Sequence, residues 1–594
     1  MKIFLYFFLL VPTFFFSKSG VANQTKNFDN TTYQLTVPKI LYPEDKKLYL
    51  KIRSLQIDGN WNEVNKKVKL LKNKILLGYI DYDKLMHPNK YKSSYDELYN
   101  WLKKYNDFPV VMQRRVYNLM IKRSSDPKKI KNMKKPRYGN YLRGYGENKK
   151  LYTRIKAKEK KNVKIYNDKN LNNLILYKDF KKLLSLYTSN QKTKLNIIHH
   201  LNKEAQRNFF NGDILESYDI YNFLISEIKT EEPFTYFRAG LAAYRIKNMK
   251  GALNHFRDCN TIIENSEIRF SPKLISGCSY WQGRLSSNKK KKNALFMRAA
   301  EHRRTMYGQL AIEKLNKEDS FVWHVDKYQK LDKEKTNIMN LQSFRRLIAL
   351  SELNYYDKAD LEMRNLYSKL ENSVNNTMLL LYLSEKLDLA AVQMRLGETF
   401  YKKDYSLFMR GMYPTPEWTL AEGFMFDKAL IYAIIRRESA FNFRAKSSKG
   451  ARGLMQLMPR TASKIKKDHR LRYGSKHHLY SLNLNLELGQ KLLKELIHNR
   501  NVKNSILDTL IGYNAGITRV KKWNKNINES DPLAFIESIP IKETRMFVKS
   551  ILTDLWIYRD KLGQNKPTRS MLANNKWPKM PKQDFHFVID AKLR

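Results

Sequence analysis

Leu430, Ile431, Ile434 and Ile435 recur at the three-and-four spacing of one helix face, and Glu438 takes the next position on that face. A carboxylate aimed inward loses hydration. Its charged form is then disfavoured and its pKa rises, which suits a general acid working near neutrality. The same pattern also suits a buried glutamate paired with an arginine, and Arg436 and Arg437 stand beside it. Pattern alone leaves both readings open. Asp427 is placed to cap the start of this helix. Further on, Tyr513 offers an aromatic face with a hydroxyl or a core ring, Asn514-Ala515-Gly516 a site or a plain turn, and Glu543 with Arg545 a functional carboxylate or a salt bridge.

The residues after Glu438 are more specific. Glu438-Ser439-Ala440-Phe441-Asn442 precedes Ser447, Gly450, Ala451, Gly453-Leu454-Met455-Gln456-Leu457-Met458-Pro459 and Thr461-Ala462. Glycines flanking a short turn let backbone approach a ligand closely, and Gln456 offers both a donor and an acceptor. Gly512-Tyr513-Asn514-Ala515-Gly516 follows, preceded by a helical stretch from Asn485 to Leu496 that includes Gly489. Glu537-Ser538-Ile539-Pro540 and Glu543-Thr544-Arg545 close the series. In this order the blocks resemble the SLT domain of soluble lytic transglycosylases. Upstream, Tyr280-Trp281-Gln282-Gly283-Arg284 and Thr305 to Ala311 look like segments of that family's α-superhelical domain, and Leu85, His87-Pro88 and Tyr95 to Leu102 like its N-terminal region. Two departures stand out. Gly512 replaces a usual alanine, and Ile517-Thr518 replaces a usual Pro-Gly, which changes the loop after Tyr513 and removes no reactive group.

The resemblance implies an all-α chain, an N-terminal α-superhelical solenoid of helix hairpins followed by a C-terminal lysozyme-like α-helical catalytic domain. It implies peptidoglycan glycan strands as the partner and a single catalytic glutamate, Glu438. That residue protonates the oxygen bridging N-acetylmuramic acid and N-acetylglucosamine, then as a base activates the muramoyl C6 hydroxyl, which closes on C1 to leave a 1,6-anhydro end. Ser447, Gln456, Met458, Tyr513, Asn514 and Glu543 are the expected substrate-binding residues. No cofactor and no metal are expected; His477 and His478 lack zinc-site company. A hydrolysing muramidase is the nearest rival and needs a second carboxylate, for which Glu487, Glu537 and Glu543 are available. A catalytically idle wall-binding scaffold is the rival from another class, and the intact Glu438 argues against it.

The elements that must position these residues read as helices. From about Tyr42 to Arg410 apolar residues recur three and four apart, with short polar breaks. Leu48 to Leu55 and Val64 to Leu71 form a hairpin around Asp58-Gly59-Asn60, and Leu347 to Leu353 with Ala359 to Leu366 form another. Phe237-Arg238-Ala239-Gly240 lines up with Tyr280-Trp281-Gln282-Gly283, and Ala252-Leu253 with Ala294-Leu295, a loose repeat. Amphipathic hairpins that cover one another's apolar faces stack into a superhelix. The reading divides the chain into the superhelix at 23–335, a helical linker domain at 336–411, the catalytic domain at 412–565 and a tail at 566–594. Residues 122–164 are very basic and broken by Pro127, Pro136, Gly139, Gly144 and Gly146, which predicts an exposed, poorly ordered insertion. Pro414 and Pro416 end the array.

The 594 residues exceed what one core organises, and 42% hydrophobic with 28% charged residues supplies several cores and wet surfaces. The net charge of +54 suggests an anionic partner without saying which, and it is discounted because much of it is lysine scattered among Asn, Ile, Tyr and Phe, a usage that an AT-rich genome also produces. Lys2 before the apolar run Ile3 to Phe16, then Gly20 and Ala22, reads as a cleaved signal peptide over residues 1–22, hence a periplasmic protein. Export weighs against nucleic acid, and the basic surface is left for wall association or the membrane periphery. Cys259 and Cys278 are the two cysteines, able to pair after export or to serve as small core residues.

Overall fold

Gly59 closes the helix Pro43–Asp58 in a left-handed conformation (φ 76°), and Asn60 caps the helix Trp61–Lys69 with its side chain. The first expected hairpin is therefore present in the computed structural model, and the second is built by Gln342–Glu352 and Tyr356–Lys369. The structure describes residues 37–124, 134–147, 173, 180–187, 191–323, 331–370 and 373–581. The predicted signal peptide lies outside them. Among the described residues the fold is all-α, with isolated β-bridges and no strand. None of their helices is long and apolar enough to cross a membrane.

The superhelix runs through Gln191–Asn211, Ile214–Ser226, Pro233–Arg245, Met249–Asn265, Pro272–Leu285, Lys289–Ala300 and Met306–Lys314, each packed on the next. The loose repeat has a packing cause. A Cβ on Gly240 would meet the Phe256 ring at 2.7 Å, and one on Gly283 would meet the Phe296 ring at 3.1 Å. In both hairpins a phenylalanine of the second helix therefore seats against a bare backbone position of the first, which lets the axes approach closely. Cys259 and Cys278 are fully buried and form a disulfide between Met249–Asn265 and Pro272–Leu285.

The start of the chain is tied to helices some three hundred positions later. The Ile40 N–H donates to Glu352 at 2.6 Å, the Tyr79 hydroxyl donates to Glu362 at 2.8 Å, and Arg346 spans Glu362 and Asp107. The superhelix also grips the C-terminal part of the chain. Tyr244 donates to Asp531 at 2.7 Å and Tyr307 to Glu537 at 2.6 Å. Beyond Met412, where the helix Tyr405–Met412 ends just before Pro414 and Pro416, the helices Lys428–Glu438 and Lys542–Lys561 pack on each other, and their buried residues continue the core of the superhelix. Ile551, Leu552, Leu555 and Trp556 are wholly enclosed there.

Two expectations change. Residues 134–147 of the stretch read as an exposed, poorly ordered insertion are packed. Arg364 donates to the carbonyls of Leu142 and Gly144, Arg395 donates to those of Arg143 and Gly146, and Leu142 and Tyr141 are buried. Glycines and lysines looked like loop signals, yet the backbone acceptors they expose are what buried arginines need. The tyrosine faces there are taken by the chain's own cations, Tyr138 by Arg114 and Arg143, Tyr145 by Arg364. The stretch read as a tail contains the helix Pro567–Ala573, whose Arg569 bonds Gln309, Glu313 and Asp319 and so docks on the superhelix.

Opening the disulfide frees two helices whose cysteines are 19 residues apart. Cys259→Ser with Cys278→Ser is expected to lower unfolding free energy by about 3 kcal/mol, the scale for closing a loop of that size. Denaturant melts of the oxidised, reduced and double-mutant proteins check it, and an unchanged midpoint contradicts it.

Candidate active site

The helix Lys428–Glu438 begins at Asp427, whose side chain accepts the Ala429 N–H at 3.3 Å, as its position predicts. Leu430, Ile431, Ile434 and Ile435 are buried, and Glu438 ends the helix half-buried on the same side. Burial pushes its carboxyl pKa up to about 8; the nearby Arg437 charge works against this and the Glu543 charge adds to it. Among the described residues Glu438 has neither a hydrogen-bond nor an ion-pair partner.

The alternative of a carboxylate paired with an adjacent arginine is settled by where the arginines go. Arg437 is exposed. Arg436 turns away. Its Nε donates to the Met412 carbonyl at 2.9 Å, one terminal nitrogen to Asp554 at 2.9 Å and the other to Glu147 at 2.5 Å, and the guanidinium lies over the Tyr413 ring. Glu147 also pairs with Arg304 of the superhelix, and the two guanidiniums outweigh burial to hold its carboxyl down at about 2. Residues 141–147 are thus a strap reaching the helix that carries Glu438. A Cβ on Gly146, where φ is 65°, would stand 3.0 Å from Cβ of Ala440. Ala440 and Phe441 themselves have φ of 50° and 61°, an uncommon conformation for residues with side chains, so the turn after Glu438 is held from outside. The buried Phe441 ring packs on Trp418 and Tyr432.

The loop from Ser447 to Met458 forms the next wall. Ser447 spends its hydroxyl inside the loop, accepting the Ala451 N–H at 3.0 Å. Gln456 has φ 48°, and its amide nitrogen donates to the Gly453 and Ala445 carbonyls, so its Oε1 is the atom left for a ligand. Met458 is exposed. Gly453 is required by contact as well as by φ 78°, since a Cβ there would lie 2.2 Å from the Leu479 carbonyl oxygen. Asn485 pins the loop: its Oδ1 accepts the Met455 N–H at 2.8 Å and its Nδ2 donates to Arg452 and Leu479 carbonyls. A Cβ on Gly489 would meet Sδ of Met455 at 2.2 Å.

Tyr513 completes the wall. Its hydroxyl donates to the Met455 carbonyl at 2.7 Å and its ring stacks on Phe547, parallel within 2°. Burial raises its pKa, with the Glu438 charge adding. Asn514 accepts the Thr544 hydroxyl at 2.7 Å, which joins its turn to the helix Lys542–Lys561. Glu543, in the first turn of that helix, is exposed. The other two carboxylates considered as hydrolytic partners are engaged elsewhere: Glu487 with Lys466 and Lys491, Glu537 with Lys549 and Tyr307. Glu438, Tyr513 and Glu543 are brought together, and Gln456 follows Met455, whose carbonyl accepts the Tyr513 hydroxyl; Ser447 and Asn514 hold the loops around them. Glu147, Gly146, Asp554 and the pinning role of Asn485 were not legible beforehand.

A family model described as the Transglycosylase SLT domain matches residues 419–536. Over 147 residues the chain is 38% identical to the soluble lytic murein transglycosylase of Escherichia coli K12, an alignment covering 24% of this chain and 22% of that protein. It is also 38% identical over 141 residues to a putative soluble lytic murein transglycosylase of Haemophilus influenzae, covering 24% and 23%. The chain thus spans less than a quarter of the length of the curated relatives it matches. In structure the likeness is wider. The 70 kDa soluble lytic transglycosylase of Escherichia coli superposes with a TM-score of 0.52 at 18% identity, over 91% of this chain and 99% of that one. The 70 kDa soluble lytic transglycosylase in complex with bulgecin A gives 0.54 at 17% identity, over 92% and 100%. These similarities show a common fold, superhelix and lysozyme-like unit together.

A carboxyl held near pKa 8 in the folded chain and at its ordinary value unfolded binds more protons when folded between those values. Stability is therefore lost as pH rises through that window. Glu438→Gln is expected to be more stable than the wild type by roughly 2–4 kcal/mol above pH 8 and equal to it below about pH 4. Thermal melts across pH decide; a constant difference sinks the assignment. Glu147→Gln leaves Arg436 and Arg304 one carboxylate short and is expected to cost about 1–3 kcal/mol at neutral pH by the same melts.

Proposed function

We propose that this chain, which belongs to the SLT family through residues 419–536, is a lytic transglycosylase that cleaves the β-1,4 bond between N-acetylmuramic acid and N-acetylglucosamine in peptidoglycan. The observation that carries the reading is a single carboxyl, Glu438, kept protonated to about pH 8 at the end of an apolar helix face and without a partner among the described residues.

Glu438 gives its proton to the bridging oxygen as the C1–O bond breaks, and positive charge develops at C1. The resulting carboxylate then takes the proton of the muramoyl C6 hydroxyl while O6 bonds to C1. The proton returns to Glu438, a 1,6-anhydromuramoyl end is left, and no water is consumed. Closure within one sugar supplies the high effective concentration that an external nucleophile would otherwise need. Oε1 of Gln456 and the face of Tyr513 place the sugar, and the exposed Met458 lies where a stem peptide would pass. Glu543 raises the affinity of Glu438 for its proton and contacts polar groups of the substrate.

The division into superhelix 23–335, linker 336–411 and catalytic unit 412–565 belongs to the same reading, as do export through the N-terminal apolar run and a role in wall turnover. The +54 charge would hold such an enzyme near the carboxylates of peptidoglycan.

Purified peptidoglycan digested by the mature protein is expected to release anhydro-muropeptides by mass spectrometry, and Glu438→Gln to release none. Reducing ends would indicate a muramidase with Glu543 as second carboxylate, and no cleavage a scaffold. Because the acid form of Glu438 is lost above its pKa, kcat/KM should fall as pH rises through about 8. A profile flat to well above that value contradicts the assignment of Glu438 as the acid.

A further inference from the structure

Positions two apart on a helix point about 200° from each other. Glu543 and Phe547 on the helix Lys542–Lys561 face Glu438 and Tyr513, so Arg545 and Lys549 are turned toward the superhelix. There they meet Arg238 of the helix Pro233–Arg245. The charges of Arg545 and Arg238 add to burial in depressing Lys549, and that of Arg238 adds to burial in depressing Arg545.

The cluster is short of negative charge. Among the described residues its one carboxylate is Glu537, which is 2% exposed and already accepts from the Lys549 ammonium and the Tyr307 hydroxyl. Arg545, 5% exposed, donates to the Ile539 carbonyl and makes no ion pair. Arg238 is 4% exposed, and its Nε and Nη1 donate to no protein acceptor. Aromatic faces surround these two guanidiniums. Arg238 lies 5.3 Å from the centre of the Phe210 ring and 5.1 Å from that of Phe234, and Arg545 lies 4.6 Å from that of Phe210. Rings favour a cation by their faces but accept no N–H in the guanidinium plane. Phe234 is 40% exposed, so the cluster lies beneath the surface and not deep within it.

We propose that Arg238, Arg545 and Lys549 form a binding site for a small oxyanion, a carboxylate or a phosphate, at the seam between the superhelix and the catalytic unit. The anion accepts the free hydrogens of Arg238 and neutralises the excess positive charge, which ties Pro233–Arg245 to Lys542–Lys561. The proposal is independent of the reaction at Glu438. Lys549 gives it a pH dependence. Burial first, with Arg545 and Arg238 adding, lowers its pKa to about 8 against the opposing effect of Glu537, while Tyr307 supplies a ring at 5.3 Å. Above that pH the ammonium loses its charge and the site holds an anion more weakly.

The test is thermal unfolding and calorimetric titration of the full chain with inorganic phosphate and with acetate, each against chloride at equal ionic strength. A saturable rise in Tm, weaker well above pH 8 than near neutrality, is expected. A response to phosphate alone names the ligand class as phosphate-like, and a response to acetate names it as carboxylate. Arg238→Gln should abolish the rise. If that variant does not fold, Arg238→Lys should bind roughly tenfold more weakly, since one ammonium cannot reproduce the guanidinium's donors. No rise beyond chloride overturns the proposal. So does a rise that the Arg238 variant retains in full, which would be general attraction to a basic surface.

Discussion

The interaction on which the rest depends is that of Arg436, a guanidinium two residues before the unpaired carboxyl of Glu438. Two positions apart on one helix, the two side chains point about 200° from each other, so Arg436 is turned away from Glu438 into the packed interior. It is occupied on every side: by a carbonyl at the end of the preceding helix, by Asp554 from the crossing helix, by Glu147 from the strap and by the ring of Tyr413. Desolvating so much charge costs several kcal/mol unless each group is matched, and here each is. The partners come from positions some four hundred residues apart, so the environment of one carboxyl depends on correct assembly of superhelix, strap and C-terminal helices together.

That dispersal explains what could be read beforehand. Asp427, the apolar face and Glu438 lie within twelve consecutive positions, and helical periodicity is enough to align them. The turn glycines Gly450 and Gly453 and the Tyr513 block were legible for the same local reason. Which way Arg436 points was not, because an arginine beside a glutamate is compatible with pairing or avoidance, and the answer lies in Glu147 and Asp554. The strap's lysines and glycines carry loop statistics, so its packing is not legible locally. Its order comes from Arg364 and Arg395 reaching its carbonyls, and no local pattern encodes that. The helix Pro567–Ala573 is hidden in the sequence for a similar reason: seven residues show little periodicity, and the docking of Arg569 is a tertiary matter.

The helix Lys542–Lys561 shows how one element serves two masters. One side supplies Glu543 and Phe547 toward Glu438 and Tyr513; the other supplies Arg545 and Lys549 to the superhelix, with Glu537 between them.

The disulfide has a mechanical meaning. A stacked array under tension comes apart one hairpin at a time, each neighbour interface yielding in turn. Cys259 and Cys278 join the second helix of one hairpin to the first of the next, so they bridge an interface and not a hairpin interior. A pull along the superhelix can strip hairpins from either end but cannot part these two. They form an indivisible block, and that block contains Trp281, which donates to the Tyr307 hydroxyl of the next superhelical helix, the same hydroxyl that reaches Glu537.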